Sequence, residues 1–326
     1  MENNKILVTG GAGYIGSILV HQLLRSGKAV RVVDYLSNGG DALLSMFNVP
    51  GFEFIKADVR DAAAMEKALE DIDAVVHLAA VVGDPACAKA PELAKSVNLE
   101  GSKALYDLCE KKKVNKFIFA STCSNYGKMA DENSFVNEES ELRPVSLYAE
   151  TKVGVEQYLL NQPRTNACKP VSLRFSTVFG LSPSARFDLT VNEFTKEVTM
   201  GRELVIYGEQ FWRPYCHVYD IARAIAVVID ADNALVEFDV FNVGDTSQNY
   251  QKKMIADDLL EMFPDANIKY VKKIEDPRDY RVDFSKINNV LNYKTTISVK
   301  DGMKEIAKAI QDGVFINPDD EKYIVS

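Results

Sequence analysis

Short apolar runs recur through the first half of the chain, separated by segments whose apolar positions return every three or four residues. KILVTG (5–10) is such a run and ends in glycine. Residues 14–26 then place Ile15, Leu19, Leu23 and Leu24 at helical spacing, with Gly27 as the stop. AVRVVD (29–34) and FEFIKAD (52–58) read as strands, and 62–70 as a helix. DAVVHLA (73–79) is a strand, 91–112 a long helix, KFIFAS (116–121) a strand, 146–162 a helix and PVSLRF (170–175) a strand. Strands alternating with helices predict an α/β fold, a doubly wound parallel sheet with helices on both faces. Its strands read as nearly continuous apolar runs because both faces are covered. AVVHLAAVV (74–82) is one of these, and is far short of the ~20 residues a membrane helix requires.

Beyond about residue 176 the pattern is less regular. Proline, glycine and aromatic residues mix with short runs such as LVIYG (204–208), FWRPY (211–215) and DPRDYR (276–281). This predicts a smaller C-terminal substrate-binding lobe. The division expected is a dinucleotide-binding unit over 1–175 with returning elements at about 214–245, including the strand VFNVG (240–244). Residues 176–213 and 246–326 then form the lobe.

Composition narrows the function. The chain has 326 residues, 47% hydrophobic, enough for a large core, and a net charge of −9. An acidic surface argues against nucleic acid or an anionic membrane as partner. The start, MENNK, carries no signal-peptide pattern. Cys87, Cys109, Cys123, Cys168 and Cys216 are scattered and odd in number, which favours a reducing, cytoplasmic setting over a disulfide framework. His21, His77 and His217 have no metal-ligand spacing, so no metal is expected.

Candidate chemistry begins at TGGAGYIGS (9–17). It contains G-x-x-G-x-x-G (Gly10, Gly13, Gly16) and G-x-G-x-x-G (Gly11, Gly13, Gly16) between a strand and a helix. Glycine there lets backbone approach a pyrophosphate at a helix N-terminus. Asp34 ends the second strand, placed to accept hydrogen bonds from the adenine ribose hydroxyls and to repel a 2′-phosphate, which favours NAD over NADP. Arg31, just upstream, keeps NADP open. Tyr148 and Lys152 are spaced i, i+4 on one helix face. An ammonium there would lower the phenol's pKa and make it a general base for an alcohol. Ser121-Thr122 closes the preceding strand and offers a hydroxyl to the same substrate oxygen.

With these residues assembled, the whole chain resembles the extended short-chain dehydrogenase/reductase family, in its NAD-dependent nucleotide-sugar epimerase/dehydratase branch. The resemblance rests on TGGAGYIGS, Asp58-Val59-Arg60-Asp61, HLAA (77–80), VNLEGS (97–102), FASTCSNYG (119–127), YAETK (148–152), LRFSTVFG (173–180), IYGEQFWRPYCHVYDIARAI (206–225) and FNVG. It implies a Rossmann-type sheet and a cofactor site of Gly10, Gly13, Tyr14, Ile15, Gly16, Asp34, Asp58, Val59, Leu78, Ala79, Ala80 and Asn98, joined by Tyr148 and Lys152. It implies Tyr148 as base, Thr122 as the hydroxyl partner, and Arg213 and Arg278 as grips on a sugar-nucleotide diphosphate. Ser124 and Asn125 are further candidates for the sugar. Arg174 is expected to be a structural strand-end residue.

The expected reaction is oxidation at C4 of a nucleoside-diphosphate sugar. Dehydratases of this family carry Asp-Glu after the catalytic Thr; here Cys123-Ser124 stands instead, which disfavours dehydration. Cys123 is either a proton shuttle or a small buried residue. Epimerase is favoured over 4-dehydrogenase and ketoreductase, and a binding-only scaffold is the reading from another class. Gly83-Asp84-Pro85 is expected to border the sugar, and Arg186 and Asn192 the nucleotide. A homodimer is expected through 91–112 and 146–162, with Ala104, Leu105, Leu108, Val153, Val155 and Leu159 as its apolar surface, unless those residues face the chain's own sheet.

Overall fold

A computed structural model describes residues 5–129, 134–272 and 278–324. The first four residues of MENNK and the opening of DPRDYR lie outside them. The first half runs β1 (Lys5–Thr9), α1 (Tyr14–Arg25), β2 (Ala29–Asp34), β3 (Phe52–Lys56), α2 (Ala62–Ala68), β4 (Ala74–His77), α3 (Asp84–Lys89), α4 (Pro91–Ala94), α5 (Ser102–Lys112), β5 (Lys116–Thr122), α6 (Leu147–Leu160) and β6 (Lys169–Phe175). The second half runs β7 (Thr177–Phe179), α7 (Thr190–Thr199), β8 (Leu204–Tyr207), β9 (Trp212–His217), α8 (Val218–Asp230), α9 (Asn233–Val236), β10 (Asp239–Val243), β11 (Asn249–Gln251), α10 (Lys252–Met262), β12 (Ile268–Val271), α11 (Ser285–Leu291) and α12 (Val299–Gln311).

Seven strands form one sheet in the order β10-β6-β5-β4-β1-β2-β3. Every neighbouring pair is parallel, with β1 flanked by β2 and β4. The winding order therefore reverses between β1 and β4, and a doubly wound sheet binds its ligand at the carboxyl ends of the strands beside that switch point. One face is covered by α1 and α8, whose Leu19, Leu23, Ile221, Ala224, Ile225 and Val228 share a core with Val8, Val76 and Leu173. The spacing of the α8 residues is i, i+3, i+4, i+7, one stripe of a helix. The other face is covered by α2, α5 and α6, through Met65, Leu105, Tyr106, Val155 and Leu159.

Leu105, Val155 and Leu159 are thus fully buried in the chain's own core, and Val153 is nearly so, which removes them from the expected dimer surface. Ala104 alone of the six is exposed. The expected 91–112 helix is α4 and α5 joined by a π-helical segment, Lys95–Gly101. Such π-turns are frequent at functional sites.

The second half of the chain is more ordered than its pattern suggests. It holds a three-stranded sheet, β11-β9-β7, a two-stranded one, β12-β8, and a core of Val191, Phe194, Ile206, Ile255, Leu259 and Met303 contributed largely by α7, α10 and α12. Gly302 in the middle of α12 reads as a helix breaker, but it is there for packing. A Cβ at Gly302 would lie 2.3 Å from the Phe179 ring.

Candidate active site

The turn after β1 is closed tightly enough that only glycine fits. Gly10 has φ +74°, where a side chain is strained, and a Cβ on it would meet the Ala79 backbone nitrogen at 2.7 Å. A Cβ on Gly16 would come 2.2 Å from the Gly10 carbonyl oxygen. Gly13 caps α1 with no side-chain hydrogen bond, so the first N–H groups of that helix point past a bare backbone. Asp34 at the end of β2 is held by two backbone donors, Ala12 N–H to Oδ2 at 3.0 Å and Leu36 N–H to Oδ1 at 2.8 Å. Its carboxylate is thereby fixed beside the glycine turn with lone pairs to spare. Arg31 is committed elsewhere, to Glu53 and to the carbonyls of Ala68 and Glu70. A glycine cradle, an open helix N-terminus and a fixed carboxylate fit a dinucleotide.

Below the turn, His77 ties β4 to the π-helical segment. Ser102 Oγ donates to the Asn98 carbonyl at 2.7 Å, so His77 Nε2–H donates to Ser102 and Nδ1 accepts from Thr9 Oγ1 at 2.7 Å. Burial, with Lys152 adding to it, lowers the imidazole pKa to about 3, so the ring is neutral. Asn98 is buried, with Oδ1 accepting from Val81 N–H at 2.8 Å and Nδ2 donating to Val81 C=O at 2.9 Å. It shapes the loop carrying Leu78, Ala79 and Ala80. Asp58 pairs with Arg60 and accepts its backbone N–H, which holds its carboxyl below the usual range, and Val59 is buried beside it. Ile15, on the first turn of α1, packs partly buried against the core.

Helix α6 starts at Ser146, whose hydroxyl accepts from Ala149 N–H at 3.3 Å. Tyr148 lies in its first turn and Lys152 one turn on. The Lys152 ammonium is buried, donates to the Ala120 carbonyl of β5 at 2.8 Å, and sits 4.8 Å from the Phe119 ring centre and 5.8 Å from that of Tyr148. Burial lowers its pKa from 10.5 to about 8, so it remains largely charged near neutrality. The expectation that Lys152 lowers the Tyr148 pKa is not met in this arrangement. Although part of the Tyr148 side chain reaches the surface, burial of its surroundings pushes the phenol up; Cys87 and Asp84 add to the rise and Arg186 opposes it. Desolvation outweighs the charge because the ammonium faces the ring and a carbonyl rather than the hydroxyl.

Thr122 ends β5, two residues beyond the Ala120 carbonyl that holds Lys152, and its Oγ1 accepts from Ser124 N–H at 3.1 Å. The structure turns Cys123 away from a proton-shuttle role. Its thiol is buried, faces the Arg174 carbonyl at 3.3 Å, and is pushed by burial well above its ordinary pKa. Ser124 accepts from Tyr280 at 3.5 Å. Asn125 is fully buried and donates to Ser121 at 3.1 Å.

From the lobe, Arg213 donates to the Trp212 carbonyl and stacks 5.3 Å from the Tyr280 ring centre, and Arg278 pairs with Asp84 at 2.8 Å. Arg186 pairs with Asp188. Asn192 does not present its amide to a ligand: Nδ2 donates to Gly180 C=O, Arg186 C=O and the Tyr14 hydroxyl, and Oδ1 accepts from Gly180 N–H. Tyr14 in turn donates to Gly180 C=O at 2.6 Å. Tyr14 and Asn192 thereby bolt the glycine turn to the lobe.

Sequence reasoning passed over Ser146 and Tyr280. Ser146 could have been found as a helix N-cap before YAETK, and Tyr280 follows Arg278 by two residues. It also passed over the support beneath the site. Glu156 receives Ser121 Oγ at 2.9 Å and a fork from Arg174, which also donates to Tyr126 at 2.8 Å. Arg174 is structural, as its strand-end place implied.

The family described as "NAD dependent epimerase/dehydratase family" matches residues 6–244. A dTDP-glucose 4,6-dehydratase from an Actinoplanes strain is 31% identical over 92% of this chain and 96% of its own. Among solved structures, the UDP-glucose 4-epimerase of Thermotoga maritima with UDP-glucose superposes with a TM-score of 0.84 at 28% identity, covering 95% of this chain and all of its own. The UDP-glucuronic acid 4-epimerase of Bacillus cereus, in complex with UDP-glucuronic acid and NAD, gives 0.84 at 27% identity, covering 94% and 99%. Among the described residues no helix is long and apolar enough to cross a membrane. A parallel sheet with its glycine cradle at the switch point, and a tyrosine and buried lysine one helix after β5, place this chain in the NAD-dependent epimerase/dehydratase family.

Proposed function

We propose that the protein oxidises a nucleoside-diphosphate sugar at C4 and acts as a 4-epimerase through a transient 4-keto sugar. The observation that carries this reading is the seating of Lys152 between the Tyr148 ring and the Ala120 carbonyl, next to the strand end that presents Thr122. Tyr148 takes the C4 hydroxyl proton, and Thr122 hydrogen-bonds the same oxygen. Lys152 holds a positive charge one helical turn from the phenol, which would stabilise the phenolate once substrate and NAD draw the hydroxyl toward it. Bound NAD supplies the acceptor for the C4 hydrogen as hydride and, once reduced, its donor. Gly10, Gly13 and Gly16 with the α1 N-terminus would hold the pyrophosphate, and Asp34 the adenine ribose. Arg213 and Arg278 would grip the sugar-nucleotide diphosphate, since a planar guanidinium makes paired bonds to phosphate.

Cys123 and Ser124 speak against 4,6-dehydration, because the thiol is buried and a serine hydroxyl is no base near neutrality. A 4-dehydrogenase or ketoreductase would use the same residues and differ in whether products leave. A homodimer through the exposed side of α5 and α6 belongs to the same reading, and light scattering tests it. The test of function is to denature the purified protein, identify any nucleotide released, and assay it and Tyr148→Phe against UDP-, dTDP-, GDP- and CDP-sugars. Retained NAD with C4 inversion in the wild type and none in Tyr148→Phe is expected. Equal inactivity of both would overturn the reading in favour of a binding-only protein.

A further inference from the structure

We infer that Asp84 is a positioning residue that couples the substrate-lobe arginine Arg278 to the first turn of the Tyr148 helix. The inference rests on the proposed reaction but concerns a residue that reaction does not itself use. Asp84 Oδ1 accepts from Ser146 Oγ at 2.7 Å, and Oδ2 accepts from Arg278 at 2.8 Å. The Ser146 hydroxyl has one proton. Donating it to Asp84 leaves a lone pair for Ala149 N–H, the helix-capping bond that spans Tyr148. One carboxylate thus fixes both a cap in the nucleotide-binding unit and a guanidinium in the lobe.

The backbone around Asp84 is built to hold it. Gly83 has φ 88° and ψ 156°, a region essentially reserved for glycine. Pro85 stands in the first turn of α3. Cys87 is fully buried, its thiol facing Val81 C=O at 3.4 Å and receiving Asn98 Nδ2 at 3.7 Å. The Gly-Asp-Pro-Ala-Cys stretch therefore anchors α3 to the loop lining the cofactor cleft and delivers Asp84 to the junction of both lobes. The charged and titratable groups around the Tyr148 phenol are Asp84 and Cys87 from α3, Arg186 from the segment before α7, Tyr280 from beside Arg278, and Lys152 from its own helix. Asp84 is the one carboxylate of this set, and it pairs with Arg278.

The test compares wild type with Asp84→Asn, Arg278→Gln and the double variant, all loaded with NAD. Affinity for UDP, dTDP and GDP is measured by calorimetry, and kcat and KM are followed across pH with a turned-over nucleotide sugar. An asparagine still accepts from Ser146 but sets N–H against N–H at Arg278. Asp84→Asn should weaken the nucleoside diphosphate and raise KM about tenfold, with NAD affinity unchanged. The acid limb of the kcat profile should move to lower pH, because a negative charge beside the phenol has gone. In diphosphate affinity and KM the double variant should lose no more than Arg278→Gln alone, since on substrate Asp84 acts through that arginine. Additive losses, or unchanged KM and an unmoved pH limb in an active protein, would overturn the role of Asp84 and leave the proposed function standing. A wild type that binds none of the three diphosphates overturns the proposed function and this inference with it.

Discussion

Lys152→Met should make the protein inactive and, at neutral pH, more stable. The lysine is 3% exposed, and burial moves its pKa from 10.5 to about 8. A tenfold change in proton affinity corresponds to about 1.4 kcal/mol, so the folded state carries a penalty of about 3 kcal/mol for the charged ammonium. That is a large share of the ~5–15 kcal/mol by which domains are stable. The folded pKa lies below the unfolded one, so between about 8 and 10.5 the unfolded chain binds more protons and stability rises with pH. Below about 8 the penalty is present in full; above 10.5 it is gone. The assay is urea unfolding of both proteins, free of nucleotide, at a series of pH values. Subtraction removes the titrating groups that do not feel Lys152, and the wild type should gain about 3 kcal/mol on the variant across that window. Parallel curves, or a wild type that loses ground as pH rises, would refute the claim that a buried charge is kept here for chemistry at the expense of stability.

Other variants probe the remaining contacts. Gly16→Ala drives a Cβ to 2.2 Å from the Gly10 carbonyl oxygen, so the turn must open; NAD affinity should fall at least about tenfold and stability by about 1–3 kcal/mol, read by calorimetry and thermal unfolding. Cys123→Ala removes a thiol facing the Arg174 carbonyl and should leave kcat unchanged while costing about 1 kcal/mol; a large fall in kcat would restore the proton-shuttle role. Glu156→Gln strips the counter-charge from Arg174 in a pair that is 1% and 4% exposed, and should cost about 3 kcal/mol or more in urea unfolding.

The α/β half was legible in the sequence because parallel strands covered on both faces read as nearly continuous apolar runs, as AVRVVD, DAVVHLA and PVSLRF do, alternating with helical stripes. The lobe was less so. Its helices carry one apolar stripe among charges, and the glycine within α12 answers to Phe179, a partner distant in sequence. The glycine turn, Asp34, Tyr148 and Lys152 were visible because motif spacing carries their geometry. The work of Asn98 and Asn192 was not, because their partners are backbone groups of Val81 and Gly180, which spacing along the chain does not reveal. The direction of the Tyr148 shift was misjudged for a related reason. An i, i+4 pair fixes which face two side chains share, but not that the ammonium turns to Ala120 while the phenol is desolvated.

The proposed oxidation at C4, with Tyr148 as the base and NAD as the hydride acceptor, is tested most directly with a nucleotide sugar carrying deuterium at C4. The account predicts slower turnover of the labelled sugar, with deuterium recovered at C4 of the inverted product or in released NADH, and neither in Tyr148→Phe. Inversion at equal speed with the label lost to water, or label transfer that persists without the phenol, would contradict it.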